Sequence, residues 1–575
     1  MVGIAGACDA SVAAVWLEDA AIPSGVAEDA TAPAADAGAP VDGEVTSPLD
    51  AADADDGAAL AEAFHVPGTQ VGDISLGNYL SPSGCGGCHY GNVSAPYPSW
   101  SGSLMAFAAR DPLFFAQLAT ANQDVPGVGR YCVRCHAPMS VATGSARVGN
   151  EAAMTTTDHD GVACHFCHSM IDPLAGDASV AAPSDPKTLA KLADVPTAYG
   201  NAAFVLDPAW LRRGPYADAA PPHAATVSPF VKRGEMCGTC HDVGNVRVAR
   251  QPDGTYAYAP AGKRAPDPDP THQFPLERTF TEWRLSAFAD GGVDMQGRFG
   301  GDAGSTVVST CQDCHMPKVR AAACIFAGQR ADLAAHEFAG AASWVLGIVG
   351  DYYGASVDRT AIARGQANAT AMLARAATVS LSVNAGVLRA RVANQSGHKI
   401  PTGHIEGRRI WVNAVFYDAS DAVLVEHGRW DPSTGELDES TTTVFEMKVG
   451  LSAAAAAATG LPAGVTTHMA LADTIVKDNR IPPLGFDNAR YDALGAGVVG
   501  ATYADGQSHA DVDFTVPASA KRVVVTVLYQ TVTREYIEAL KNGNHTDTWG
   551  KDLADLWEKS GKDAPVTIAS AALSL

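Results

Sequence analysis

The sequence predicts a multidomain chain of three unlike stretches. These are an acidic N-terminal tail without regular structure, a mainly α and loop-built region, and an all-β, sandwich-like region with a few helices. Three observations predict it. Residues 1–70 hold 13 acidic side chains and no Lys or Arg. Ten of the 12 cysteines crowd into residues 85–314. Beyond about residue 378 the apolar pattern switches to strict alternation. At 575 residues the chain is too long for one ordinary domain. Apolar residues make up 47%, enough for packed cores. Lys and Arg total 40 against 63 Asp and Glu, a net charge of −23. That balance argues against a nucleic-acid partner, which needs a basic face, and against an anionic membrane surface. No run of 18 apolar residues occurs, so no transmembrane helix is expected.

Residues 1–70 are rich in Ala, Asp, Gly and Pro and bury too little to offset their ordering entropy, so they are expected to form a disordered tether. Ile4–Cys8 resembles the end of a bacterial lipoprotein signal, which makes Cys8 a candidate lipidation site. Residues 71–350 alternate loops with helical pieces, expected near 101–122, 187–193, 275–289 and 328–347. A helix with Thr360 as N-cap leads out of this region, and residues 351–377 are the expected linker. Residues 378–575 form the β region. Val379, Leu381 and Val383 alternate, as do Leu388, Ala390 and Val392. Arg409–Tyr417 and Arg522–Tyr529 are further strands, with helical additions at Glu535–Lys541 and Asp552–Lys559.

The cysteines carry the chemistry. Five C-x-x-C pairs are each followed at once by His: Cys85, Cys88 and His89; Cys132, Cys135 and His136; Cys164, Cys167 and His168; Cys237, Cys240 and His241; Cys311, Cys314 and His315. Only Cys8 and Cys324 stand apart. C-x-x-C-H is the c-type haem attachment signature. Two thiols three positions apart reach two porphyrin vinyl groups as thioethers, and the adjacent imidazole lies under the iron as proximal ligand. Zinc half-sites and redox dithiols also use C-x-x-C, but neither requires the following His. Five covalent haems, with the ten cysteines as thioethers and the five histidines on iron, are therefore expected.

Each iron then needs a second axial ligand or an open position. Among the remaining histidines, His159 precedes Cys164, His223 follows a Pro-Pro pair, and His336 falls on an expected helix. His398 and His404 flank Lys-Ile-Pro-Thr-Gly, a turn at a strand end. These five, and Met105 as a thioether, are the candidate distal ligands. His165, inside its own motif, is a further group that could reach another iron. One echo stands out: Trp100-Ser-Gly-Ser-Leu-Met105 resembles Trp283-Arg-Leu-Ser-Ala-Phe288, each about 30 residues before a motif, and reads as a duplicated haem-covering unit.

With these residues the chain resembles bacterial multihaem cytochromes of the cytochrome c554 group. The likeness rests on Trp100–Asp111, Gly161–His168, Cys237–Asp242, Thr279–Ser286 and Cys311–Pro317, and covers about 71–350. Gly397–Gly403, Asp478–Pro483 and Tyr529–Thr531 resemble a β domain that follows such haem regions in some large bacterial cytochromes. The resemblance implies close-stacked haems, largely bis-histidine, that pass electrons from one to the next. Two residues after the Ser of Trp-x-x-Ser the family often places a ligand His; here stand Met105 and Phe288. Pentahaem nitrite reductases, which are related, carry one C-x-x-C-K site, whereas all five sites here end in His.

The expected function is electron transfer through five covalently bound c-type haems in the cell envelope. Export is implied by haem attachment, to the periplasm or the outer surface, with lipid anchoring through Cys8 as an option. No catalytic residue is assigned. The acidic surface favours redox partners with a basic contact face. The competing reading is a multihaem oxidoreductase acting on a small nitrogen or sulfur compound at one five-coordinate haem. A third reading makes the β region an adhesion module.

Overall fold

The computed structural model describes residues 62–575 except 146–148 and 177–179. Most of the acidic tail, with Cys8, lies outside the described residues. Its last part, 62–70, is packed: Ala63, Phe64 and Val66 are buried in one apolar cluster with Val125, Tyr131 and Leu451. Among the described residues, no helix is long and apolar enough to cross a membrane.

The protein is multidomain, built of helices and mostly antiparallel sheets; Arg212–Gly214 and Ala225–Val227 pair in parallel. Its first part is a set of short helices and two- or three-stranded sheets wrapped round the five motifs. Each motif lies on or at the end of a helical turn, in Pro82–His89, Gly129–His136, Cys164–Cys167, Gly234–Gly238 and Cys311–His315. Such a turn brings residues three apart onto one face, which sets both thiols of a pair side by side. Pro82 opens the first turn where no amide donor is missed. Thr310 and Asp313 close a capping box on the last.

Three expected helices are shorter or replaced. The one expected at 101–122 begins at Pro112 and runs to Asp124; residues 101–111 are turns. Pro112 disfavours helical backbone at Asp111, which instead caps the helix by accepting the Leu113 and Phe114 amides. In the 275–289 span a strand, Gln273–Glu277, precedes the helix Thr279–Arg284. In place of a helix starting at 328, Gln329–Ala334 pairs with Lys318–Ala322 as a hairpin, and the helix is Ser343–Tyr353. His336 therefore sits on a loop. The helix expected near 187–193 is Asp185–Leu189. The helix Arg359–Ala376 is capped by Asp358, not Thr360, because its carboxylate accepts the Thr360 and Ala361 amides.

From Ala377 onward the alternating pattern folds as read. Ala377–Asn384 pairs with Val387–Asn394, which pairs with His509–Thr515, all antiparallel. A second sheet of seven strands centres on Arg409–Tyr417 and Arg522–Gln530. The inward residues of both sheets, among them Leu388, Ala390, Val392, Val412, Phe416, Val512 and Val525, share one core. On the outer face Arg389 pairs with Asp513, and Arg391 with Asp511.

The chain end returns to the first part. Helices Arg534–Gly543 and Trp549–Lys559 pack on Pro112–Asp124 and Ser343–Tyr353 around Phe115, Leu118, Ile348, Tyr536, Leu553 and Trp557. A second junction is ionic. Glu282, Lys399, Asp478 and Arg480 are each at most 3% exposed. Arg480 Nη2 lies 2.8 Å from Glu282 Oε1 and 2.7 Å from Asp478 Oδ2. Lys399 Nζ donates to Asp478 Oδ2 at 2.8 Å and to the Gly497 carbonyl at 2.7 Å. The Lys399 amide donates to Glu282 Oε2 at 3.1 Å. Two cations and two anions thus neutralise one another out of water and clamp the loop that carries His398 and His404.

Candidate functional site

All five motif histidines rest Nδ1 on an oxygen acceptor. Nδ1 of His89 is 2.9 Å from the Ala323 carbonyl, that of His136 3.2 Å from Ala108, that of His168 2.7 Å from Arg213 and that of His315 2.7 Å from Ala339. His241 Nδ1 is 3.0 Å from Glu277 Oε1. Carbonyl and carboxylate oxygens only accept, so each ring carries a proton on Nδ1, and in the four carbonyl-held rings the Nε2 lone pair is left for a metal. Burial keeps His136 and His315 neutral, with pKa values lowered to about 4, and lowers His168 as well. Neutral imidazole is the ligand form. His241 differs: against the burial that would lower it, Glu277 raises it to about 9.

The thiols of different motifs meet. Cys85 acts electrostatically on Cys164, Cys135 on Cys240, and Cys237 on Cys311. Cys167 also acts electrostatically on Cys240. The motif of His241 is therefore the neighbour of three others, and the motif of His168 links it to that of His89. No disulfide joins the described cysteines. Structural zinc takes four converging ligands. Among the described residues no three His, Cys, Asp or Glu side chains converge in that way.

A second imidazole faces two of the motif histidines. The His89 and His223 rings are 6.4 Å apart between centroids, and the His168 and His336 rings 6.2 Å, nearly parallel at 24°. An imidazole nitrogen sits about 2 Å from the metal it binds, so two rings gripping one ion from opposite sides have centres about 6 Å apart. These two pairs fit that spacing. His336 Nδ1 is held by the Ala334 carbonyl at 3.0 Å, and burial lowers its pKa to about 3. His398 acts electrostatically on His315 and His136 acts on His404, both candidates being lowered by burial, His404 to about 4. His404 Nε2 also lies 3.4 Å from the Tyr536 hydroxyl.

The other candidates are placed differently. His159 turns Nε2 to Glu151 at 3.6 Å and Nδ1 to the Thr155 carbonyl, facing no motif histidine. Met105 packs in an apolar cluster with Cys135, Cys167 and Cys240, next to the motifs. His165 Nδ1 accepts the Leu80 amide at 3.1 Å, so its proton is on Nε2 and that nitrogen is not free to ligate.

The Trp echo has a structural counterpart. Trp100 Nε1 donates to the Val162 carbonyl at 3.0 Å, and Trp283 Nε1 to the Ser309 carbonyl at 2.7 Å. Each acceptor stands two residues before the first cysteine of a motif. For Trp100 that motif begins at Cys164, not at Cys132 as sequence proximity indicates. Sequence reasoning missed the Nδ1 acceptors and Phe114, which stacks on His136 at 3.5 Å and 4°. The adjacent aromatic pair before a motif was the available signal for Phe114.

No protein-family model matches the chain, and no curated protein does. The chain is similar to a crystal structure of a penta-heme cytochrome c552 from Thermochromatium tepidum, at 17% identity and a TM-score of 0.46. The match covers 88% of this chain and 100% of that one. A likeness of that depth decides nothing about this chain.

Proposed function

We propose that the protein is an electron carrier with five covalently bound c-type haems, working in the cell envelope. The observation that carries this is the common setting of the five motif histidines: Nδ1 of each rests on an oxygen acceptor, and two of them face a second imidazole at the spacing of a shared metal. The ten motif cysteines would form the thioethers, and His89, His136, His168, His241 and His315 the proximal bonds. His223 and His336 would complete the first and third sites. His398 and His404 are the proposed distal ligands of the sites of His315 and His136. Residues 71–350 would form the haem domain, with the β domain from 378 supplying those two loop histidines.

Haem iron, when bound, supplies one-electron exchange between ferric and ferrous states. What the chain supplies is arrangement. The carbonyls on Nδ1 fix each ring's tautomer and orientation. The thiol contacts bring the motif of His241 against those of His136, His168 and His315, and the motif of His89 against that of His168. The net charge of −23 favours a partner with a basic contact face.

A pyridine-haemochrome count with electron paramagnetic resonance (EPR) on the purified full chain tests the reading. Five haems, all low spin, support it. Colourless protein, or zinc at the motifs, overturns it. A high-spin ferric fraction that binds cyanide puts the oxidoreductase reading in its place.

A further inference from the structure

Four of the five motif histidines lean on a neutral backbone carbonyl; the fifth leans on a carboxylate. Glu277 Oε1 is 3.0 Å from His241 Nδ1. The sheet delivers it there. Val243, two residues after His241, is in register with Glu277 across the pairing of Val243–Arg250 with Gln273–Glu277. The contact is built rather than incidental, because the carboxylate is itself held. Thr279 Oγ1 lies 3.1 Å from Glu277 Oε1 and 2.8 Å from Thr402 Oγ1. Thr402 in turn donates to Glu282 Oε2 at 3.2 Å. A continuous polar chain therefore runs from the His241 ring to the buried ionic junction. Glu277 keeps only 16% of its side chain exposed.

A carboxylate acceptor draws the Nδ1 proton more strongly than a carbonyl and makes the ring a stronger donor through Nε2. A stronger donor favours the ferric over the ferrous iron. We infer that Glu277 is a positioning and tuning residue that sets the iron on His241 apart, at a reduction potential below those of the other four centres. This rests on the haem reading above. Since the His241 motif touches those of His136 and His315 through its thiols and acts on that of His168, the tuned centre stands in the middle of the array. An electron crossing between the outer sites meets its least favourable step there.

The test is a spectroelectrochemical titration of the full-length holoprotein. Glu277→Gln keeps an acceptor oxygen but removes the charge. It is expected to raise one of five midpoint potentials, with a roughly tenfold change in the ferric-to-ferrous ratio, about 59 mV for one electron. The other four should hold still. Thr279→Val strips a hydrogen bond from the carboxylate, which strengthens its pull, so the same centre should move downward. Opposite signs at one centre are not what a merely structural defect produces. Unchanged potentials in both variants, or a common drift of all five, overturn the inference. If Glu277→Gln does not mature, Thr279→Val decides alone. Absence of haem from the wild-type chain defeats the haem reading instead, and the haemochrome count shows which has failed.

Discussion

Replacing Lys399 by Met removes one cation from the buried group of Glu282, Asp478 and Arg480. The Lys399 ammonium is 0% exposed and reaches two oxygens, at 2.8 and 2.7 Å. Its loss leaves two carboxylates facing one guanidinium out of water, and breaking a buried pair in this way costs about 3–5 kcal/mol. Glu282→Gln removes one anion instead and leaves the opposite excess. The double variant restores neutrality, because the two-point Arg480–Asp478 contact, at 2.8 and 2.7 Å, survives. Guanidinium unfolding followed by near-ultraviolet circular dichroism gives the four stabilities of the cycle. The two losses should fall short of additivity by about 0.5–3 kcal/mol. Strict additivity would show that the four side chains do not act as one group, and the ionic account of this junction would have to go.

The remaining expectations concern the motifs and one titration. Cys311→Ala with Cys314→Ala should lower the haemochrome count by one and leave four haems. His336→Ala should produce a high-spin EPR signal that added imidazole returns to low spin, whereas His159→Ala should leave the spectrum unchanged. Asp124 raises the pKa of His468 through a hydrogen bond at 2.8 Å. The folded value lies above the unfolded one, so the stability from this pair is complete below about pH 6.5 and lost as pH rises through the folded value. Asp124→Asn should flatten that part of a stability-against-pH curve.

What could be seen from the sequence was what depends on spacing. The C-x-x-C-H pentads and the period-two strands at Val387–Asn394 and Arg522–Gln530 are local patterns, and they fold as local patterns. Apolar spacing alone reads 101–122 as one helix, but Pro112 turns Asp111 out of helical backbone and 101–111 form turns. The 329–334 hairpin strand escapes the sequence because Gln329–Ala334 buries only Leu333, a signal too thin for either period. The partners of the motif histidines lay out of reach for another reason. Ala323 stands 234 positions from His89 and Glu277 stands 36 from His241, so neither acceptor can be assigned before the chain is folded. The sequence offers His223 after a Pro-Pro pair and His336 on an expected helix; that they face His89 and His168 is a tertiary fact.

The helix Pro112–Asp124 waits for its cover. Gln117 meets the Tyr536 hydroxyl across 419 positions, and Phe115 lies against Trp549 at 4.8 Å between ring centroids. The residues that complete this face therefore lie more than 400 positions further along the chain. Cys132 borders the same cluster. A chain that emerges in order thus carries that thiol on an unfinished face until residues 534–559 have followed, and a chain cut before them keeps the face open.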